Sequence, residues 1–377
     1  MSTIQNITKE KLSGEKIGVV FGTFAPLHTG HQQMIYKAVM SNEGALVIVS
    51  GYTNDRGEQV GLPLEKRFRY LREAYNDEPS IRVAQINEDN IPVMPNGWTE
   101  WIRLFLHTIS SNIKGEMSEK EFVVYTSEAE YVVELAKRLP ENFEIQLQNR
   151  HYVEISATEI RQSPMEHWNQ INRVFRRHFT KKVLIAGSAS TGKSTLVRRL
   201  ARSINAPFSE EYARIYEEEN NLEDSELQVY DYAQFILGQW EANYKEVCSP
   251  SNNGITFFDT DAIVTQAYSQ MYLTDAENKM LESMFETTIA KEEFDLILLI
   301  PPVTTYVDDG FRNMEWEDSR YDFHHILLNL FEKYGFKDKI VILDAEGNTA
   351  EEGFYLRYLQ AVKAIQERTG VKIDAIN

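Results

Sequence analysis

The chain has 377 residues, of which 42% are hydrophobic, so it is long enough for two ordinary domains that each bury a core. Its formal net charge of −18 argues against a broad nucleic-acid-binding surface, although small phosphorylated ligands can still meet local positive charge. A single cysteine, no signal peptide and no run of about 20 apolar residues predict a cytoplasmic protein without disulfides or a membrane partner.

Short apolar runs alternate with amphipathic segments in the first half of the chain, as strands alternate with helices in α/β proteins. This pattern predicts a doubly wound parallel sheet in a Rossmann-like arrangement. The predicted strands span residues 17–21, 45–49, 81–86, 122–125 and 143–147, and helical segments include 30–40 and 64–75.

The first predicted strand ends in a turn, residues 22–31, with the pattern G-x-F-x-P-x-H-x-G-H. Glycine lets the backbone approach a phosphate, and the following helix directs its N–H groups and positive dipole end at the same place. His28 and His31 can there donate hydrogen bonds to charge that develops during displacement at phosphorus. The turn therefore predicts a catalytic nucleotide site. Its predicted nucleotide-binding residues are Gly22, Thr23, Phe24 and Gly30.

Residues 155–161 read I-S-x-T-x-x-R and allow two interpretations. The spacing of Ser156 and Glu159 is that of a capping box, which marks a plain helix start. Ser156, Thr158 and Arg161 on a first helical turn also suit a second anion site. Ser127 follows the fourth predicted strand, where ligands bind in such sheets.

Two tryptophans, Trp98 and Trp101, follow the turn at residues 95–97. They either pack in the core or offer a stacking face to a flat cationic ring. The sequence leaves these alternatives open.

The alternation of strands and helices restarts at Lys182 and predicts a second doubly wound domain. Its predicted strands span residues 183–186, 255–258, 296–300 and 340–343. The segment between the two domains is predicted to be a linker with some helix. Its basic group (Arg173, Arg176, Arg177 and His178) is predicted to be a solvated face, and a phosphate-binding or interdomain role is the alternative. The predicted division is an N-terminal extension (1–14), a first domain (15–162), a linker (163–180) and a second domain (181–377).

Residues 187–194 match G-x-x-x-x-G-K-[ST] in full, between a predicted strand and a predicted helix, which is the context that a P-loop requires. In a P-loop the backbone N–H groups cradle the phosphates of ATP. Lys193 would reach the transferring phosphate, and the Ser194 hydroxyl would bind Mg²⁺. The second domain is therefore predicted to be a kinase. Its predicted ATP-binding residues are Gly187, Ser190, Thr191, Gly192, Ser194 and Thr195.

Acidic residues follow two strands of the second domain. Asp259 suits a Mg²⁺ ligand of the Walker-B type, and Asp261 would hold substrate or act as the base. Glu211 lies where another strand would end and is a further candidate base, unless it only begins a charged helix. Arg312, beside a glycine in the polar loop after 296–300, suits a mobile lid that brings an arginine to the phosphoryl group.

A family resemblance rests on these motifs in this order. Residues 22–31 look like the signature of the nucleotidyltransferase superfamily, and 155–161 look like its partner motif. Five further strings contribute: P-N-G-W (95–98), Y-T-S-E (125–128), E-Y-x-R (211–214), D-T-D (259–261) and D-G-x-R (309–312). Together they resemble the NadR family over residues 15–370. In that family a nicotinamide-nucleotide adenylyltransferase is joined to a ribosylnicotinamide kinase.

The resemblance implies two reactions that use ATP and Mg²⁺. Nicotinamide riboside is phosphorylated to the mononucleotide, which is then adenylylated to NAD with release of pyrophosphate. It also implies a role for each matching residue: His28 and His31 for adenylyl transfer; Ser156 and Arg161 for the phosphates of ATP; Trp98 for the nicotinamide ring; Lys193, Ser194, Asp259 and Asp261 for ATP, metal and base; Glu211, Tyr212 and Arg214 for the riboside; Arg312 for the lid.

Some family members carry an N-terminal helix-turn-helix and act as repressors, but residues 1–16 are too few for one, so no repressor role is expected. Two alternatives to an enzyme of NAD synthesis stay open. One is another transferase–kinase fusion, serving coenzyme A or flavin synthesis, and the other is a nucleotide-sensing regulator. The sequence leaves the oligomeric state open, a homo-oligomer included.

Overall fold

A computed structural model describes residues 10–148, 155–302 and 319–373. The chain separates into two compact units, with the division between His178 and Phe179. Within the described ranges no helix combines the length and the apolar character that crossing a bilayer requires.

The first unit is built on a five-stranded parallel sheet in the order β3-β2-β1-β4-β5. The central strand pairs on both sides, since Val19 lies opposite Leu46 of β2 and Val124 of β4. Its strands are β1 (Lys16–Gly22), β2 (Ala45–Gly51), β3 (Ile81–Asn87), β4 (Glu121–Thr126) and β5 (Phe143–Leu147). Its helices are α1 (Thr29–Met40), α2 (Leu64–Ala74), α3 (Trp98–Asn112), α4 (Ala129–Ala136), α5 (Ala157–Gln162) and α6 (Arg173–Phe179).

The second unit has another five-stranded parallel sheet, in the order β10-β9-β6-β8-β7. Its strands are β6 (Lys181–Gly187), β7 (Phe208–Ser209), β8 (Ile255–Phe258), β9 (Leu296–Ile300) and β10 (Ile340–Ile342). Its helices are α7 (Lys193–Ser203), α8 (Tyr212–Asn220), α9 (Val229–Val247), α10 (Ala262–Tyr272), α11 (Asp275–Ile289), α12 (Ser319–Lys333) and α13 (Ala350–Thr369).

Alternate residues of the central strand β6 supply two cores, one on each face of the second sheet. Leu184 and Ala186 pack with α9, α10, α11 and α12, whereas Val183 and Ile185 pack with α7 and α13. A strand covered on both faces consists of consecutive apolar residues, and for this reason its position could be predicted from the sequence. The predicted α/β class with two doubly wound sheets is confirmed, and each predicted strand is present. The two-residue strand β7 lies just before Glu211, where the sequence predicts that a strand ends without giving its bounds.

Residues 163–178, interpreted from the sequence as a linker, are grouped with the first unit. Phe175 of α6 is fully buried, and Arg177 forms a two-pronged ion pair with Glu73 of α2 at 2.6 and 2.8 Å. The Arg177 guanidinium also lies over the ring of Tyr70, 4.0 Å from its centroid. The expectation that this basic group forms a solvated face is wrong for Arg177, because its charge and stem are both used in packing.

Candidate active sites

The turn after β1 brings the two predicted histidines into contact. His28 is the N-cap of α1, and its Nδ1 accepts a hydrogen bond from the Gly30 N–H at 3.2 Å. In neutral His28 this contact assigns the ring proton to Nε2. His31 lies one helical turn later, and the two ring centroids are 3.8 Å apart, with Phe24 edge-on to His31. The geometry matches two donors that serve one phosphate, although the catalytic role stays a prediction.

A buried ion pair holds this turn in place. Arg67 of α2 is 0% exposed and donates to the Thr23 carbonyl at 2.7 Å and to the Ser50 carbonyl at 3.1 Å. Its other guanidinium nitrogen donates to the Asp55 carboxylate at 2.5 Å. The second oxygen of Asp55 accepts from the N–H groups of Gly57 and Glu58. Arg67 therefore ties the histidine turn to the end of β2 and to the segment that follows it.

The segment before α6 supports the same turn from another side. The backbone of Ile171 forms an antiparallel bridge with His28, and the Asn172 N–H donates to the Leu27 carbonyl at 3.0 Å. These contacts involve the backbone of Leu27 and of His28 itself. Residues predicted as a linker thus support the histidine turn.

The second motif lies beside the first. Ser156 and Glu159 form the complete capping box at the start of α5. Arg161 reaches back to the turn, where its guanidinium donates to the Ala25 carbonyl at 2.8 Å and to the Thr158 hydroxyl at 2.9 Å. Both interpretations of this motif are thus compatible with the contacts: Ser156 and Glu159 cap the helix, and Arg161 joins the histidine turn.

Arg56 is a cation of this site that the sequence analysis missed. Its guanidinium donates to the Thr23 hydroxyl at 2.8 Å. Burial first and then the charge of Arg56 lower the pKa of Arg161, so the two guanidinium groups lie near each other. Two arginines beside two histidines suit an anionic ligand. The available signal was the polar turn N-D-R-G (54–57) that follows the carboxyl end of β2.

The tryptophans lie inside the first unit. Trp101 is stacked on Phe105 and donates its indole N–H to Glu88 at 2.9 Å. Trp98 is buried edge-on against Tyr131, with the guanidinium of Arg138 over its ring. These contacts fit the packing alternative, and a substrate role for either ring stays a prediction. Ser127, at the end of β4, is half-buried and keeps its predicted place at the carboxyl edge of the sheet.

The P-loop of the second unit has the backbone conformation that its sequence requires. Gly187 and Gly192 have φ angles of 150° and 86°, which favour glycine, and Ser190 between them has φ of 59°. A Cβ on Gly187 would lie 2.6 Å from the Ile300 carbonyl. Lys193 is buried and donates to the Ser188 carbonyl at 2.9 Å, as does the Thr191 hydroxyl. Thr195 is exposed on the first turn of α7.

Asp259 lies directly after β8, beside this loop. The Ser194 hydroxyl donates to its carboxylate, while its Oδ1 has no hydrogen-bond partner within the described ranges although it is buried. Burial, and then the charge of Glu211, raise the pKa of Asp259 to about 6, and Lys193 opposes this. A buried carboxylate oxygen without a partner next to a serine hydroxyl is a donor set that fits Mg²⁺.

Asp261 has a structural task in the same segment. It is fully buried as the N-cap of α10, where Oδ1 accepts from the Val264 N–H at 3.0 Å. Burial raises its pKa to about 7. A substrate or base role for Asp261 stays a prediction. Arg312 lies outside the described residues.

A cavity of about 730 Å³, open to solvent, adjoins the P-loop at Ala189 and the acidic segments at Glu211 and Thr260. Its lining residues include both carboxylates and phenol rings, a combination that suits a flat cationic ligand. Arg214 is among its lining residues, and Tyr212 lies next to it on α8, while a substrate role for either residue stays a prediction. Lining residues that the sequence analysis missed include Glu217, Asp224, Tyr232, Gln239, Tyr268 and Tyr272.

Comparison with known proteins covers both units. Residues 19–163 match a cytidylyltransferase-like family, and residues 182–349 match an AAA domain family. The trifunctional NAD biosynthesis/regulator protein NadR of Escherichia coli strain K12 is 30% identical over 368 residues, which is 94% of this chain and 83% of that protein. The protein of the same name from Salmonella typhimurium strain LT2 is also 30% identical, over 94% of this chain and 85% of that protein.

Two solved structures are similar along the whole chain. A crystal structure of NadR protein in complex with NR is 55% identical, with a TM-score of 0.88, and covers 98% of this chain and 100% of its own. A crystal structure of NadR protein in complex with NAD and AMP-PNP is 54% identical, with a TM-score of 0.86 and the same coverage.

Proposed function

The chain belongs to the NadR family, and we propose on this basis that it is a bifunctional enzyme of NAD synthesis. Its second unit phosphorylates nicotinamide riboside with ATP to the mononucleotide, and its first unit adenylylates the mononucleotide with a second ATP. The observation that carries the proposal is the cavity beside the P-loop, where carboxylates and aromatic rings suit the positively charged pyridinium ring of the riboside. A cytoplasmic location accords with this use of ATP.

In the kinase step, the 5′-hydroxyl of the riboside attacks the γ-phosphorus of ATP and ADP leaves. The P-loop N–H groups and Lys193 hold the phosphates in line with the hydroxyl. Ser194 and Asp259 would hold Mg²⁺, which would supply positive charge to neutralise the phosphates. Glu211 borders both the cavity and the surroundings of Asp259, and we assign to it the role of proton acceptor for the hydroxyl.

In the transferase step, the phosphate of the mononucleotide attacks the α-phosphorus of ATP and pyrophosphate leaves. His28 and His31 donate hydrogen bonds to the oxygens that gain charge, without a covalent intermediate. Arg161 and Arg56 hold the phosphate groups beside them. The reaction therefore depends on positioning and on charge neutralisation.

The first test is to incubate the purified protein with ATP, Mg²⁺ and nicotinamide riboside and to separate the products by chromatography. We expect the mononucleotide to appear first and NAD to follow. A parallel panel offers pantetheine phosphate and FMN as acceptors of the adenylyl group. Consumption of ATP with one of those acceptors, and not with the riboside or its mononucleotide, would show that the nicotinamide assignment is wrong.

A further inference from the structure

Helix α9 carries two buried amides, Gln239 and Asn243, one turn apart on the same face. Gln239 is 1% exposed and Asn243 is 4% exposed. A buried amide is destabilising unless its donors and acceptors are satisfied, so the partners of these two side chains indicate what they do.

Gln239 holds the backbone on both sides of Glu211. Its Oε1 accepts from the Tyr212 N–H at 2.7 Å, and its Nε2 donates to the Glu210 carbonyl at 3.1 Å. Because the Tyr212 N–H can only donate, the orientation of the amide is determined. One side chain therefore sets the position of the segment that presents the Glu211 carboxylate.

Asn243 extends the network to the segment of Asp259. Its Oδ1 accepts from Gln239 at 2.9 Å and from the Ser209 hydroxyl at 2.5 Å. Its Nδ2 donates to the carbonyl of Thr260, the residue after Asp259, at 3.0 Å. The two amides thus connect the end of β7 to the end of β8 through α9.

Gly238 lets the two helices approach each other at this point. A Cβ on Gly238 would lie 2.2 Å from Cε1 of the Tyr212 ring. Glycine weakens a helix interior, and here the close contact explains its presence in the middle of α9. The same contact keeps the start of α8, which follows Glu211, against the amide network.

Glu211 follows β7 and Asp259 follows β8, so the two amides connect the two segments that carry these carboxylates. The amides are neutral, and their bonds to these segments go to backbone groups and to the Ser209 hydroxyl, so they hold the segments together without pairing either carboxylate.

We propose that Gln239 and Asn243 are positioning residues of the kinase step, which hold Glu211 and Asp259 at the spacing that phosphoryl transfer requires. The proposal rests on the proposed function for the nature of that step. It assigns a role to a helix that contributes none of the phosphate-binding motifs.

The test compares Gln239→Met, which keeps the length of the side chain, with Gln234→Met on the same helix. Gln234 is half-buried and makes no side-chain hydrogen bond with the residues that the structure describes. We expect Gln239→Met to lower kcat for phosphorylation of nicotinamide riboside by a factor of about 10–10², the effect of a displacement near 1 Å. The KM for ATP should stay within about twofold, since the P-loop is outside the network. Conversion of supplied mononucleotide to NAD should be unchanged.

A second variant, Gln239→Glu, tests the proposal through the pH dependence of kcat. The ionised carboxylate accepts from the Tyr212 N–H but cannot donate to Glu210 or Asn243, whereas the protonated carboxyl regains one donor. We therefore expect kcat of this variant, relative to the wild-type protein, to rise as the pH falls from about 8 to about 6, because burial raises the pKa of a carboxyl group.

Equal kcat in Gln239→Met and Gln234→Met would overturn the proposal, as would a loss confined to the KM for ATP or a flat relative pH profile of Gln239→Glu. If Gln239→Met no longer binds ATP, the decision rests on the pH profile alone. Failure of the wild-type protein to phosphorylate the riboside would refute the proposed function instead, and the variants would then be compared with whichever acceptor the kinase uses.

Discussion

The buried ion pair of Arg67 and Asp55 gives the most direct test of how the transferase site is held. Arg67→Met keeps most of the aliphatic stem but removes the guanidinium, and with it the hydrogen bonds that Arg67 donates to Thr23, Ser50 and Asp55. The Asp55 carboxylate then stays buried without its partner charge. The turn that carries His28 also loses its link to α2.

The magnitude follows from the burial of both groups. Their side chains are 0% and 4% exposed, so water cannot replace the missing charge. Breaking a buried pair by removing one partner destabilises a protein by about 3–5 kcal/mol. Against a stability of about 5–15 kcal/mol for a domain, this is a large fraction. Displacement of the Thr23 carbonyl should in addition slow adenylyl transfer by a factor of up to about 10².

Urea unfolding followed by tryptophan fluorescence measures the first effect through Trp98, Trp101 and Trp168 of the first unit, and Trp240 of the second unit contributes to the same signal. Adenylylation of supplied mononucleotide measures the second. Arg69→Met is the matched control on the same helix, since Arg69 is exposed, and it should change stability by less than about 0.5 kcal/mol.

The double variant Arg67→Met with Asp55→Asn separates charge from hydrogen bonding. Asparagine can still accept from the Gly57 and Glu58 N–H groups, and it removes the unpaired charge. We expect it to recover at least about 1 kcal/mol relative to Arg67→Met alone. The reasoning is refuted if Arg67→Met loses less than about 1 kcal/mol and keeps wild-type transferase activity.

Three further outcomes follow from the sites. His28→Ala should slow adenylylation of supplied mononucleotide by a factor of about 10²–10³ and leave riboside phosphorylation intact, since one preorganised donor is lost; an equal loss of both activities would contradict this. Lys193→Ala should abolish phosphorylation of the riboside, whereas supplied mononucleotide should still yield NAD in the same chromatographic assay. Burial, and then the charge of Asp261, raise the pKa of Glu292 from 4.5 to about 8. Between these two pH values the folded state therefore retains a proton on Glu292 that the unfolded state has lost. Stability should therefore fall as the pH rises from about 4.5 to about 8, and urea unfolding should show a smaller decline for Glu292→Gln; equal slopes would refute the assignment.

Features encoded by short stretches of chain could be predicted from the sequence. The apolar runs locate the strands because a strand buried on both faces needs consecutive apolar residues, and the order of these runs indicates two parallel sheets. The P-loop and the histidine turn are likewise local, since a few neighbouring residues supply both the backbone conformation and the functional groups. The fold class was therefore predictable, and so was the local structure of the two segments that are predicted to bind phosphate.

Contacts between distant segments were decided only by the tertiary structure. Arg67 and Arg161 reach the histidine turn from separate helices, and Gln239 reaches the Glu211 segment from α9. Nothing in the neighbouring sequence of Arg67 and Gln239 distinguishes them from surface arginines and glutamines, because a side chain acquires its partner only when helices pack. The motif at 155–161 predicts a role for Arg161 but not its contact with the Ala25 carbonyl. For the same reason the sequence left Trp98 undecided between packing and stacking. Local sequence thus determined which segments carry the phosphate-binding motifs, whereas the packing of the helices determined which side chains hold those segments in place.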